Sequence, residues 1–263
     1  MQEERVKRVG KRLAAIVGAL AVVAVGMLAI NTIVFSDDAG LGPAPVNVQV
    51  LAPGTFQSAH AYAPYYVVPA SRVAGPAKLS RAATNRFVTR PEAALAKGAL
   101  AGSPQVVRLQ LSSTTDEPVS VKGVRFHVVS DARPLKGWFT AQPACEFERV
   151  DVARANLDSR RRPVRYVDAD GKRSRKLDLP LSRSRATVLE LQAATSRRRV
   201  AWTAELSVSR DGRPAQRVTV DDAGKPFRVT ATRDSRAYAP LFGPTGISGF
   251  ARERSWDRGV RGC

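Results

Sequence analysis

Val200-Ala201-Trp202-Thr203-Ala204-Glu205-Leu206-Ser207-Val208 is the stretch that decides the fold. Val200, Trp202, Ala204, Leu206 and Val208 point one way, and Thr203, Glu205 and Ser207 point the other. A period of two marks a strand with one face on a core and one toward water. Asp211-Gly212 then turns the chain into Arg217–Val220, and Asp222-Ala223-Gly224-Lys225 is read as a second reversal, into Phe227–Ala231. Short strands joined by Asp/Gly turns predict an antiparallel meander.

The same alternation extends upstream. Val107, Leu109 and Leu111 are separated by Arg108 and Gln110, and Pro118 opens Val119 to Val128. There the apolar parity passes from odd (119, 121) to even (124, 126, 128) across Lys122-Gly123. A one-residue slip at a glycine predicts a β-bulge. Further strands are expected at Pro163–Val167, Leu177–Leu181 and Val188–Ala193. Val46–Val50 and Tyr65–Val68 form extended patches within the Ala/Pro/Gly-rich 36–104, with a short helix near Pro91–Lys97. Helical periodicity is otherwise scarce, so the expected class is all-β, an antiparallel immunoglobulin-like sandwich.

Leu13–Phe35, LAAIVGALAVVAVGMLAINTIVF, carries no charge over 23 residues. A helix of that length spans roughly 35 Å and crosses a hydrocarbon core of about 30 Å. The run exceeds a signal-peptide core, and Asp37-Asp38 stands where a cleavage site would fall, so an uncleaved signal anchor is expected. Arg5, Lys7, Arg8, Lys11 and Arg12 precede it, and the first base after it is Arg72. The positive-inside rule therefore places the amino terminus in the cytoplasm and the bulk outside. The expected organisation is a cytoplasmic 1–12, a single transmembrane helix 13–35, a tether 36–44, an extracytoplasmic β domain 45–237 and a carboxyl-terminal tail 238–263.

Four segments carry a resemblance: Pro118–Val124, Pro143-Ala144-Cys145, Trp202–Leu206 and Val220–Phe227. Together they resemble the outer domain of uncharacterised actinobacterial single-pass membrane proteins, over about residues 45–232. In some of those proteins a helix-turn-helix regulator precedes the membrane helix. This chain starts almost at the helix, so the resemblance implies no cytoplasmic DNA-binding role, and it implies no catalytic residues.

The chain has 263 residues, with Lys+Arg 42 against Asp+Glu 23, a formal charge of +19. Basic residues concentrate between 160 and 199. Arg160, Arg161, Arg162, Arg165, Arg173, Arg175, Arg197, Arg198 and Arg199 are the candidate contacts for an anionic partner, with Lys172, Lys176, Arg183 and Arg185 nearby. Outside a cell that partner would be an anionic wall polymer, a lipid headgroup or an acidic protein. Each base near such a surface contributes on the order of 1 kcal/mol. Nucleic acid is not favoured: no recognition helix or aromatic strand face accompanies the charge, and the topology is wrong.

Cys145 and Cys263 are the two cysteines, expected on the oxidising side. A bridge between them would close a long loop, worth roughly 4–5 kcal/mol by the chain-entropy account. Two histidines and two cysteines do not furnish a zinc site, and no cofactor motif is present. Asp168-Ala169-Asp170-Gly171 opens like a calcium loop, but Lys172-Arg173 follows and the distal Glu is missing, so a hairpin turn is expected. The expected function is a non-enzymatic, membrane-anchored interaction module of the cell envelope. A cell-wall-directed hydrolase built on His60 or His127 is the alternative, although Gly-x-Ser-x-Gly does not occur.

Overall fold

Alternation continues on both sides of Val200–Val208, and in the computed structural model this stretch is the middle of a 12-residue strand. The structure describes residues 43–51, 66–73, 75, 82, 94–140, 150–211, 213–243 and 246–252. The segment 13–35, His60, Pro143-Ala144-Cys145 and Cys263 lie outside the described residues. Among those described, no helix is long and apolar enough to cross a membrane.

The described strands are, in chain order, β1 (Val46–Leu51), β2 (Tyr66–Pro69), β3 (Leu100–Gly102), β4 (Gln105–Ser113), β5 (Val119–Ala132) and β6 (Gly137–Thr140). Next come β7 (Asp151–Asn156), β8 (Val164–Val167), β9 (Arg173–Ser174), β10 (Leu179–Leu181) and β11 (Thr187–Ala194). The last are β12 (Arg199–Arg210), β13 (Gln216–Val220), β14 (Phe227–Thr230), β15 (Arg236–Gly243) and β16 (Gly246–Arg252). They form two sheets. The first runs β1-β4-β11-β7-β8-β9, and the second β10-β5-β12-β14-β3-β2-β6-β15-β16, with β13 also on β12.

One continuous core lies between the sheets. Val48, Leu109, Leu111, Leu189 and Leu191 enter it from the first, and Phe126, Trp202, Leu206 and Val229 from the second. Trp202 lies between Phe126 and Phe227, with ring centroids 5.2 and 4.8 Å away. Its buried Nε1–H donates to Gln105 Oε1 at 2.9 Å, which satisfies the one polar atom the ring brings inside. Each fully buried Val, Leu or Phe contributes about 1.5–3 kcal/mol, so the alternation read from the sequence dictates the layering. A smaller cluster, Val68, Val73, Ala94, Ala99 and Trp138, packs beneath β2 and β6.

The expected bulge is present. Gly123 pairs with Ser207 and Val121 with Val208, so Lys122 is the extra residue. A second slip leaves Val129 unpaired between Val128, opposite Trp202, and Ser130, opposite Ala201. Val129 is correspondingly exposed, at 59%.

Four expectations are corrected. The sheets are not purely antiparallel: β11–β7, β14–β3 and β15–β6 are parallel pairs. Asp222–Lys225 does not reverse the chain into a meander. β13 and β14 both run antiparallel to β12, along Ala204–Val208 and Arg199–Trp202 respectively, as one interrupted edge. The loop between them is a tight excursion in which Asp222 N–H and Lys225 N–H each donate to the other's carbonyl, at 2.7 and 3.1 Å. The described part of the expected helix near Pro91–Lys97 is one turn from Ala94, closed by Gly98 at φ 77°. Finally, the weakly periodic stretch after 237 carries most of the β15–β16 hairpin.

Candidate functional site

Asp158, just after β7, organises one end of the first sheet. Leu157 N–H donates to Ala194 O at 2.8 Å, extending the β7–β11 contact by one residue, and Asp158 N–H donates to Asn156 Oδ1 at 2.9 Å. That local turn aims the Asp158 carboxylate at the β11–β12 connection. Thr195 Oγ1–H donates to it at 2.9 Å, Ser196 N–H at 2.7 Å, Ser196 Oγ–H at 2.9 Å and Arg198 Nε–H at 3.3 Å. Burial pushes its pKa up, but these donors outweigh it and hold the carboxyl below the ordinary value.

Arg198 reaches further. One Nη donates to Leu157 O at 3.0 Å and the other pairs with Asp131, at the end of β5. The two arginine triplets, far apart in sequence, are thus drawn to one place: Arg160–Arg162 in the β7–β8 loop and Arg197–Arg199 in the β11–β12 turn. Arg198 differs from its neighbours in that its guanidinium is engaged on two acids and a carbonyl, which ties the loops together. Arg160, Arg161, Arg197 and Arg199 are exposed, and no carboxylate lies within ion-pair distance of any of them among the described residues. Arg162 is half-buried at φ 43°, with its Nε buried and unpaired.

Two loops that the sequence reading missed stand at the same end. Arg199 is opposite both Ala132 and Thr230, Arg198 O accepts Ala231 N–H at 2.9 Å, and Thr230 Oγ1 accepts Leu135 N–H at 2.9 Å. Ser235 Oγ–H donates to Leu135 O at 3.1 Å. The β5–β6 loop brings exposed Arg133 and Lys136, and the β14–β15 loop with the first residue of β15 brings exposed Arg233 and Arg236. We call this end the basic pole.

Arg165, Arg173 and Arg175 lie along the β8–β9 edge, all exposed. Arg165 faces Arg154 across the β7–β8 pair, and Arg154 Nε–H donates to Gln192 Oε1 at 2.7 Å. Gln192 in turn bonds Glu190, which pairs with Arg108 at 3.3 Å, so a polar chain crosses β7, β11 and β4. At the far end of β8, Asp168–Lys172 forms the expected hairpin turn. Asp168 Oδ1 accepts the N–H groups of Asp170 and Lys172, and Gly171 sits at φ 84°. Asp151 lies beside it. Burial first, then the charge of Asp168, raises its pKa, opposed by the Ala169 N–H. Charge there is mixed, unlike the pole.

His127 faces outward on β5, its Nε2 3.5 Å from Glu205 Oε2 but without hydrogen-bond geometry. Arg125 and Arg217 lie 3.4 and 3.9 Å from the same carboxylate. Glu205 is therefore paired with two guanidinium groups, beside His127. Among the described residues, no group of three or more His, Cys, Asp or Glu could hold a metal.

Fold and site together define a two-sheet, sandwich-like all-β protein with a basic pole assembled from four loops. Comparison with family models, curated proteins and solved structures gave no match.

Proposed function

We propose that this chain is a membrane-anchored, extracytoplasmic, non-enzymatic interaction module of the cell envelope. Its two sheets form an immunoglobulin-like sandwich displayed behind a transmembrane helix at 13–35, and its basic surface contacts an anionic envelope component. The observation that best supports this reading is the state of Arg160, Arg161, Arg197 and Arg199. They are gathered at one end, exposed, and free of carboxylate partners among the described residues. Several surface bases elsewhere have a carboxylate partner: Arg183 with Asp116, Arg210 and Arg213 with Glu117, Lys122 with Asp178. Unmatched guanidinium groups gain most from an external anion, because nothing internal must first be displaced. Cys145 and Cys263 pair in the same reading, holding the chain end to the domain.

The test uses the full chain in zwitterionic nanodiscs and isolated envelope material, with binding followed as salt is raised. Binding that weakens with salt and is lost on changing Arg160, Arg161, Arg197 and Arg199 together to Ser supports the reading. Salt-independent or absent binding refutes it.

A further inference from the structure

We infer that the occupant of the basic pole is a linear polyanion laid across all four loops; this rests on the function proposed above. Four observations carry it. The first is charge left over: Arg198 absorbs both Asp131 and Asp158, which leaves Asp234 as the remaining acid of those loops. The second is distribution. The unmatched bases come from four separate connections, two or three from each, so they form a broad area rather than a pocket for one small anion. A chain-like ligand with repeated anionic groups can use such an area, because many weak contacts add where a single phosphate would engage only one or two.

The third observation is direction. The amino-terminal connection meets the fold at Pro45, whose carbonyl accepts Thr114 N–H at 3.1 Å, and Val46 pairs with Ser113 at the end of β4. The other end of β4, Gln105, pairs with Ala193, two residues before Thr195 at the pole. A nine-residue strand covers roughly 30 Å, so the pole lies about that far from the point where the chain enters. The pole and the start of β1 therefore stand at opposite ends of the two-sheet domain. The fourth is contrast: around that far end Arg183, Arg210 and Arg213 are all paired with Asp116 or Glu117. Those three bases carry carboxylate partners, whereas Arg160, Arg161, Arg197 and Arg199 at the pole have none among the described residues.

The phosphate chemistry of a polymer and of a lipid headgroup is shared, so the experiment separates the sources. Full-length protein in zwitterionic nanodiscs is titrated with fluorescein-labelled inorganic polyphosphate, with phosphatidylcholine–phosphatidylglycerol vesicles and with inorganic phosphate. The inference predicts saturable polyphosphate binding, with a log–log salt slope of about −4 to −6 for six to nine contacts, and weaker binding of the other two. Two variant sets are compared: Arg160→Ser, Arg161→Ser, Arg197→Ser, and Arg133→Ser, Lys136→Ser, Arg233→Ser. Each is expected to weaken polyphosphate binding at least about tenfold and to flatten the slope by about 2. The single changes Arg133→Gln and Arg233→Gln repeat the reading at smaller perturbation.

Loss in the first set with none in the second or in the single changes overturns the four-loop polyanion while leaving the proposed function standing. Tighter binding to the anionic vesicles than to polyphosphate overturns the choice of source. No binding of polyphosphate or vesicles by the intact protein overturns both.

Discussion

Changing Tyr166 to Phe removes one oxygen from a buried contact between the sheets. Tyr166 stands on β8 in the first sheet, 8% exposed, and its hydroxyl crosses to β5 in the second. There it accepts Val124 N–H at 3.0 Å and lies 3.5 Å from Val124 O, to which it donates. β10 pairs only with Val119–Val121, so beyond it these groups meet a side chain instead of a strand. The bulge at Lys122-Gly123 is next door, and a Cβ on Gly123 would stand 3.8 Å from the hydroxyl. Phe keeps the ring and its packing, so the loss is the unmatched backbone pair, about 1–3 kcal/mol. For a domain of this size a loss of about 2 kcal/mol lowers Tm by about 4–8 °C. Thermal and urea unfolding of the full chain, followed by tryptophan fluorescence, measures it. A Tm within about 1 °C of the parent, with an unchanged urea slope, would refute the view that this hydroxyl closes the sheet edge.

Three more outcomes are expected. Asp158→Asn weakens the charge-assisted bonds that tie the loops, costing about 1–3 kcal/mol near neutral pH in denaturant melts. Because the folded carboxyl titrates below its unfolded value, its contribution is complete above about pH 4 and is lost as pH falls through the folded value, so parent and variant converge in acid. Asp151→Asn has the opposite sign: its folded pKa is raised, so the charged form is a burden above that value. The variant is the more stable at neutral pH, and the gain vanishes below about pH 4. Ala223 stands at φ 51° before Gly224 at φ 81°, a turn that favours Asn-Gly. Ala223→Asn is expected to raise stability by up to about 1 kcal/mol in the same melts.

What the sequence disclosed depended on whether the deciding interaction was local. The bulge at Lys122 was legible because apolar residues stand on both sides of the slip and reveal the change of parity. The second bulge was not, since Ser130 and Asp131 follow Val129 and no apolar residue marks the new face. Asp222–Lys225 has the chemistry of a hairpin turn and does make a tight turn. What returns β14 to β12 is the 12-residue length of β12, whose edge accommodates two short strands in line. Parallel pairing of β7 with β11 leaves no local trace at all. The arginine triplets were visible as composition, but within Arg197-Arg198-Arg199 nothing in the sequence tells which one turns inward to Asp158. Arg133, Lys136 and Arg233 stand in ordinary loops and Arg236 opens β15, so none was singled out; the β15–β6 pairing and the bonds of Thr230 and Ser235 with Leu135 bring those segments together.

Every role proposed for the basic pole depends on the side of the membrane on which it stands. Protease added to wall-stripped cells, followed by immunoblotting for a carboxyl-terminal tag, measures that side directly. Digestion of the carboxyl-terminal bulk while the bilayer is intact is the result expected. Protection that ends when detergent opens the bilayer would place the pole in the cytoplasm and contradict the proposed envelope contact.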